Sequence, residues 1–90
     1  MGAVAEAIAA KLQVFSPTRL DIVDDSARHA GHEGAREGGE SHFNVTIESA
    51  AFAGVNRVGR QRMVYAALTD ELAGPVHALS LKALAPGEAP

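Results

Sequence analysis

The sequence predicts an α+β domain whose elements run helix, strand, strand, helix, strand. Three observations carry that prediction. Phe43, Val45 and Ile47 alternate with His42, Asn44, Thr46 and Glu48, the period of a strand covered on one face. Met63, Val64, Ala67, Leu68 and Leu72 recur at helical spacing. Ninety residues, 47% of them hydrophobic, suffice for one small core and not for two. Two helices over one face of a three-stranded sheet is the simplest way to close it.

The elements follow in order. Ala3 to Gln13 is Ala-rich, with Val4, Ile8 and Leu12 on one face of a short amphipathic helix that Ser16-Pro17 ends. Thr18 to Asp24 alternates Leu20 and Ile22 with Arg19 and Asp21, a strand covered on one side. Asp24 to Phe43 is too polar and too Gly-rich to pack and holds His29, His32 and His42, so it reads as a long functional loop. His42 to Ser49 is the second strand, antiparallel to the first because a loop joins them directly. Phe52 anchors an irregular connection in which Gly54 and Asn56 suit turns.

Arg57 to Leu72 reads as one long helix, stopped by Gly74-Pro75. Its basic residues, Arg57, Arg60 and Arg62, lie at the start and Asp70 and Glu71 near the end, against the helix dipole, which suggests that the basic end serves a partner. Val76 to Leu84 is the third strand, with His77, Leu79 and Leu81 on its apolar face. The domain is expected over residues 1–85, with 86–90 a disordered tail.

Composition excludes several classes. A net charge of -3 argues against a surface built wholly for phosphate, so nucleic-acid contact has to be local. Without cysteine there is no disulfide, no thiolate zinc site and no thiol catalysis. No targeting segment or run of 18 apolar residues appears, so a soluble cytoplasmic protein is expected, without membrane contact. Neither a phosphate loop nor a nucleophile motif is present, and a non-enzyme is expected.

Taken alone, the candidate residues allow more than one reading. His77 on an apolar face is a core histidine held by one hydrogen bond, or a ligand. His29 and His32 are solvated loop residues, or ligands. His42 at a strand start is structural, tying loop to strand by a hydrogen bond, with ligation the lesser reading. The arginines form a solvated helix face, a partner surface or a DNA contact. The loop histidines with Glu33, Glu37 or Glu40 include donor types that suit zinc, but no HExxH or two-His helix face fixes their geometry.

The loop pattern DDSxxHxGHxG, the run GGESHFNVTIES, the phrase FAGVNRVGRQRMVYAALTDEL and the segment GPVHALSLKAL together resemble the BolA family over roughly residues 4 to 84. The resemblance implies an αββαβ domain similar to class II KH domains. It also implies a partnership with monothiol glutaredoxins of the CGFS type, through a shared 2Fe-2S cluster that includes glutathione. On this resemblance His77, in the VHAL motif, is a cluster ligand; the second falls on His29, placed by its distance from Asp24-Asp25-Ser26, with His32 as substitute. Some members are described as DNA-binding stress regulators, the alternative function, for which Arg57, Arg60 and Arg62 are the candidates. Many members have Arg-His-Arg where this chain has Arg60-Gln61-Arg62, so a role resting on that histidine is absent. The KH-type GxxG clamp has a match only at Gly31 to Gly34, in the acidic loop between strands and not between helices.

Overall fold

The computed structural model describes residues 2–25 and 41–89, and the element order is the expected one. α1 spans Ala3–Leu12 and buries Ala5, Ile8 and Leu12, while Val4 packs at the core's margin. A 3₁₀ turn over Gln13–Phe15 extends it and ends at Ser16, whose φ of 47° turns the chain out of the helix just before Pro17.

β1 (Arg19–Asp24) pairs antiparallel with β2 (His42–Glu48), placing Leu20 opposite Ile47 and Ile22 opposite Val45. β3 (Ala78–Leu84) joins the other side of β2 in parallel, with Leu79 beside Phe43 and Leu81 beside Val45. The sheet order is therefore β1-β2-β3, and β2 is the central strand. Register carries one apolar face across all three strands, because side chains alternate with period two and paired residues share a face. Phe43, Val45 and Ile47 are almost wholly buried there, against Ile8 and Leu12 of α1 and Val64 and Leu68 of the second helical region. On the opposite face Asn44 and Thr46 of β2 remain half-exposed.

The parallel β2–β3 pair needs a crossover, which residues 49–77 supply. It opens with a 3₁₀ turn, Ala50–Phe52, whose Ser49 hydroxyl accepts from the Ala51 amide. Phe52 is the expected anchor: it is fully buried and its ring lies 5.4 Å from that of Phe15. Gly54 follows with φ 76°, the left-handed turn a glycine takes without steric cost. Asn56 then caps α2 (Arg57–Ala67), accepting from Gly59 N–H at 2.8 Å.

The single helix expected over Arg57 to Leu72 is two. Leu68, at φ -106° and ψ 22°, breaks it, and α3 (Thr69–Ala73) restarts the chain. The Thr69 hydroxyl donates to Ala66 O at 2.9 Å, a local bond that competes with continued helix. Asp70 and Glu71 therefore stand in the first turn of α3 rather than at the end of one long helix. Lys11 of α1 reaches both, at 3.2 Å and 2.9 Å, and these carboxylates raise its pKa, the Glu71 hydrogen bond contributing most.

The segment after β3, expected to be disordered, is held as far as Glu88. The Glu88 N–H donates to Ala85 O and its carboxylate accepts from Ala85 N–H at 2.9 Å. No helix among the described residues is long and apolar enough to cross a membrane.

Candidate functional site

Because β1 runs antiparallel and β3 parallel to β2, the end of β1 and the starts of β2 and β3 meet at one end of the sheet. The Asp25 N–H donates to His42 O at 2.7 Å. The His77 and Ala78 N–H groups both donate to Ser41 O, at 2.7 Å and 3.1 Å. Both attachment points of the 26–40 connection thus lie at the end of the sheet where β3 begins, Ser41 beside its entry and Asp25 across β2 from it.

His77 sits just before β3 and is exposed. The core-histidine reading is thereby corrected. The alternation that put His77 on the apolar face starts only at Ala78, and it is Val76 that is buried, its N–H bound to Glu71 O at 2.9 Å. The backbone of His77 is pinned while its imidazole stays open to solvent, which suits a donor offered to something outside the chain.

Under it lies His42, 7% exposed, with its Nδ1 2.9 Å from the Ser41 hydroxyl. This contact joins two neighbours in the chain at the strand start. Sequence reasoning missed the partnership that accompanies it: the rings of His42 and His77 are 5.4 Å apart, tilted by 53°. The signal was available only through register, since His42 pairs with Ala78, one residue past His77. Among the described residues no three His, Asp or Glu side chains cluster as a metal site. His29 and His32 lie outside the described residues.

The arginines do not form one surface. Arg60 is drawn inward, its side chain 14% exposed. Its Nε donates to Val55 O at 2.8 Å and its Nη1 to Ala83 O at 3.0 Å, while both terminal nitrogens grip the Glu88 carboxylate, at 2.5 Å and 3.0 Å. Arg60 ties α2 to β3 and to the segment after it, correcting its assignment to an open DNA or partner surface. Arg57 lies one turn before it on the same side of α2, whereas Arg62, two residues on, points to another. Both are exposed.

Comparison with known proteins bears on these residues. The model of the family described as "BolA-like protein" matches residues 12–88. Mouse BolA-like protein 1 is 43% identical over 97% of this chain, which spans 61% of the mouse protein. The Escherichia coli DNA-binding transcriptional regulator BolA is 42% identical over 87% of this chain and 71% of its own length. Among solved structures, the BolA domain of SufE1 from Arabidopsis thaliana superposes with a TM-score of 0.87 at 41% identity, covering 99% of both chains.

Proposed function

The chain belongs to the BolA-like family, and from that premise we propose that it is a non-enzymatic iron-sulfur partner: it docks on a monothiol glutaredoxin and supplies histidine to a shared, glutathione-containing 2Fe-2S cluster. The observation that carries the reading is His77, an exposed imidazole on a pinned backbone, at the end of the sheet where the connection that contains His29 begins and ends. His29 is four residues beyond Asp25, so covalent reach limits their Cα separation to about 14 Å.

The donor set fits a shared group and not one held by this chain alone. Iron in a 2Fe-2S cluster is ordinarily held by four thiolates, and imidazoles replace two of them on one iron in the Rieske type. This chain has no cysteine. His77 and His29 would be its ligands, and the sulfur would come from the glutaredoxin cysteine and glutathione. When bound, the cluster supplies a transferable iron-sulfur unit. What this chain does is hold the His77 backbone through Ser41 O and set the ring against His42. Imidazole is a neutral and weaker donor than thiolate, which suits release to a further acceptor. The reading places the protein in the cytoplasm, where thiols stay reduced.

The test is to mix the purified chain with a cluster-loaded CGFS glutaredoxin and record visible absorption and circular dichroism. The spectra shift on mixing, and His77→Ala and His29→Ala each remove the shift. Unchanged spectra in His77→Ala would end the ligand assignment.

The second reading, a DNA-binding regulator, is favoured by the E. coli relative's name. With Arg60 occupied, it rests on Arg57 and Arg62. Binding to promoter DNA at physiological salt, with a salt slope reduced by Arg62→Ala, supports it; no binding removes it.

A further inference from the structure

Between α2 and the outer edge of β3 runs a groove of about 660 Å³, with Arg57, Arg60, Tyr65, Leu81, Lys82 and Ala89 among its walls. β3 is an edge strand, so half of its peptide groups face away from β2. The Ala78 N–H donates to Ser41 O and Leu84 O accepts from Ser49 N–H, so the even-numbered residues turn toward β2 and Leu79, Leu81 and Ala83 turn outward. Two of those outward carbonyls are taken by α2: Leu79 O accepts from the Tyr65 hydroxyl at 3.4 Å and Ala83 O from Arg60. Leu81, between them, has no partner for its N–H or C=O among the described residues.

The rim of this groove is basic. Arg57 and Lys82 are exposed and make no ion pair among the described residues. The third cation, Arg60, already holds a carboxylate, that of Glu88, with Ala89 continuing along the groove wall. The Ala85–Glu88 turn thus shows one thing the groove accepts, a carboxylate on Arg60, while the open Leu81 peptide groups suit an extended backbone. The hold is favourable, since Arg60 beside Glu88, helped by the Ala85 amide, lowers the Glu88 pKa to about 2.

We propose that this groove binds an extended acidic peptide segment, whose carboxylates displace Glu88 from Arg60 and engage Arg57 and Lys82 while its backbone pairs with Leu81. Residues 85–89 are then a competing internal occupant that lowers affinity until displaced. The surface is distinct from His77 and needs neither iron nor glutaredoxin.

The experiment uses the full chain without metal and a fluorescein-labelled peptide of alternating glutamate and valine, with the glutamine and valine analogue as control. Anisotropy shows binding of the acidic peptide only. Lys82→Glu and Arg57→Glu abolish it. Glu88→Gln, which empties Arg60, tightens it about fivefold, the scale of one well-formed exposed ion pair. Exchange of the Leu81 amide slows in the complex, as contact through charge alone would not produce. Equal binding of both peptides, no binding at all, an affinity indifferent to Glu88→Gln, or preference for a single-stranded oligonucleotide of the same charge would each overturn the proposal. Should Glu88→Gln melt at lower temperature than the parent, Lys82→Glu decides, because Lys82 is exposed and supports nothing in the fold.

Discussion

The two ends of β3 handle their polar side chains in opposite ways. At its start the backbone is fastened through Ser41 O while the His77 imidazole stays exposed. At its finish Arg60 spends its guanidinium on Val55 O, Ala83 O and Glu88. Both residues stand in the sequence as candidates for binding something outside the chain. Only one is presented to it directly; the other is engaged within the chain, by two carbonyls and by a carboxylate that a competitor would have to displace. Availability, more than residue type, separates a binding group from a structural one.

The comparison is broken most decisively at His77. His77→Ala is expected to remove the cluster-dependent visible circular dichroism of the glutaredoxin complex while leaving the melting temperature of the free chain nearly unchanged, because the removed ring is exposed. His42→Ala comes next. It removes the ring packed against His77, and cluster retention should fall about tenfold, the scale seen when a group supporting a metal ligand is lost. Arg60→Ala should do the reverse of His77→Ala: the melting temperature drops by several degrees, since Ala83 O and Val55 O lose a charged donor, and cluster binding persists. A stable Arg60→Ala variant would show that the two ends do not differ as described.

The smallest effect is one of pH. Glu88 has its carboxyl pKa lowered from 4.5 to about 2, mainly by the Arg60 hydrogen bond. Its contribution is therefore complete above the unfolded value and is lost as pH falls from about 4.5 through about 2. With 43% of the Glu88 side chain exposed, solvent screening keeps that contribution small. Thermal melts across this window should show a shallower acid decline for Glu88→Gln than for the parent chain.

The sheet was legible because burial writes a period of two: Phe43, Val45 and Ile47 point to the core as their spacing requires. The spacing predicts a continuous helix because Leu68 is neither Gly nor Pro, and the break comes from the Thr69 hydroxyl bonding back to Ala66 O. The Thr69-Asp70-Glu71 run was the available signal, a helix-start composition inside an apparent helix. His77 was placed one residue too deep, since alternation cannot say where a strand begins. The approach of His42 to His77 depends on parallel register between strands separated by a crossover, which local spacing does not encode. The fate of Arg60 was hidden for the same reason: Glu88 lies 28 residues away in sequence.

The parallel seam between β2 and β3 also orders events in time. The β1–β2 pairs lie 19 to 29 residues apart in sequence and every β2–β3 pair lies 36 apart, so β3 finds its place only after the crossover has folded back, and more distant contacts form more slowly. Until then His77 has no Ser41 carbonyl to fix it and no ring beneath it. A chain whose third strand has not docked therefore has no fixed imidazole at this end of the sheet, and under the proposed ligand role of His77 its capacity to bind would report a completed sheet.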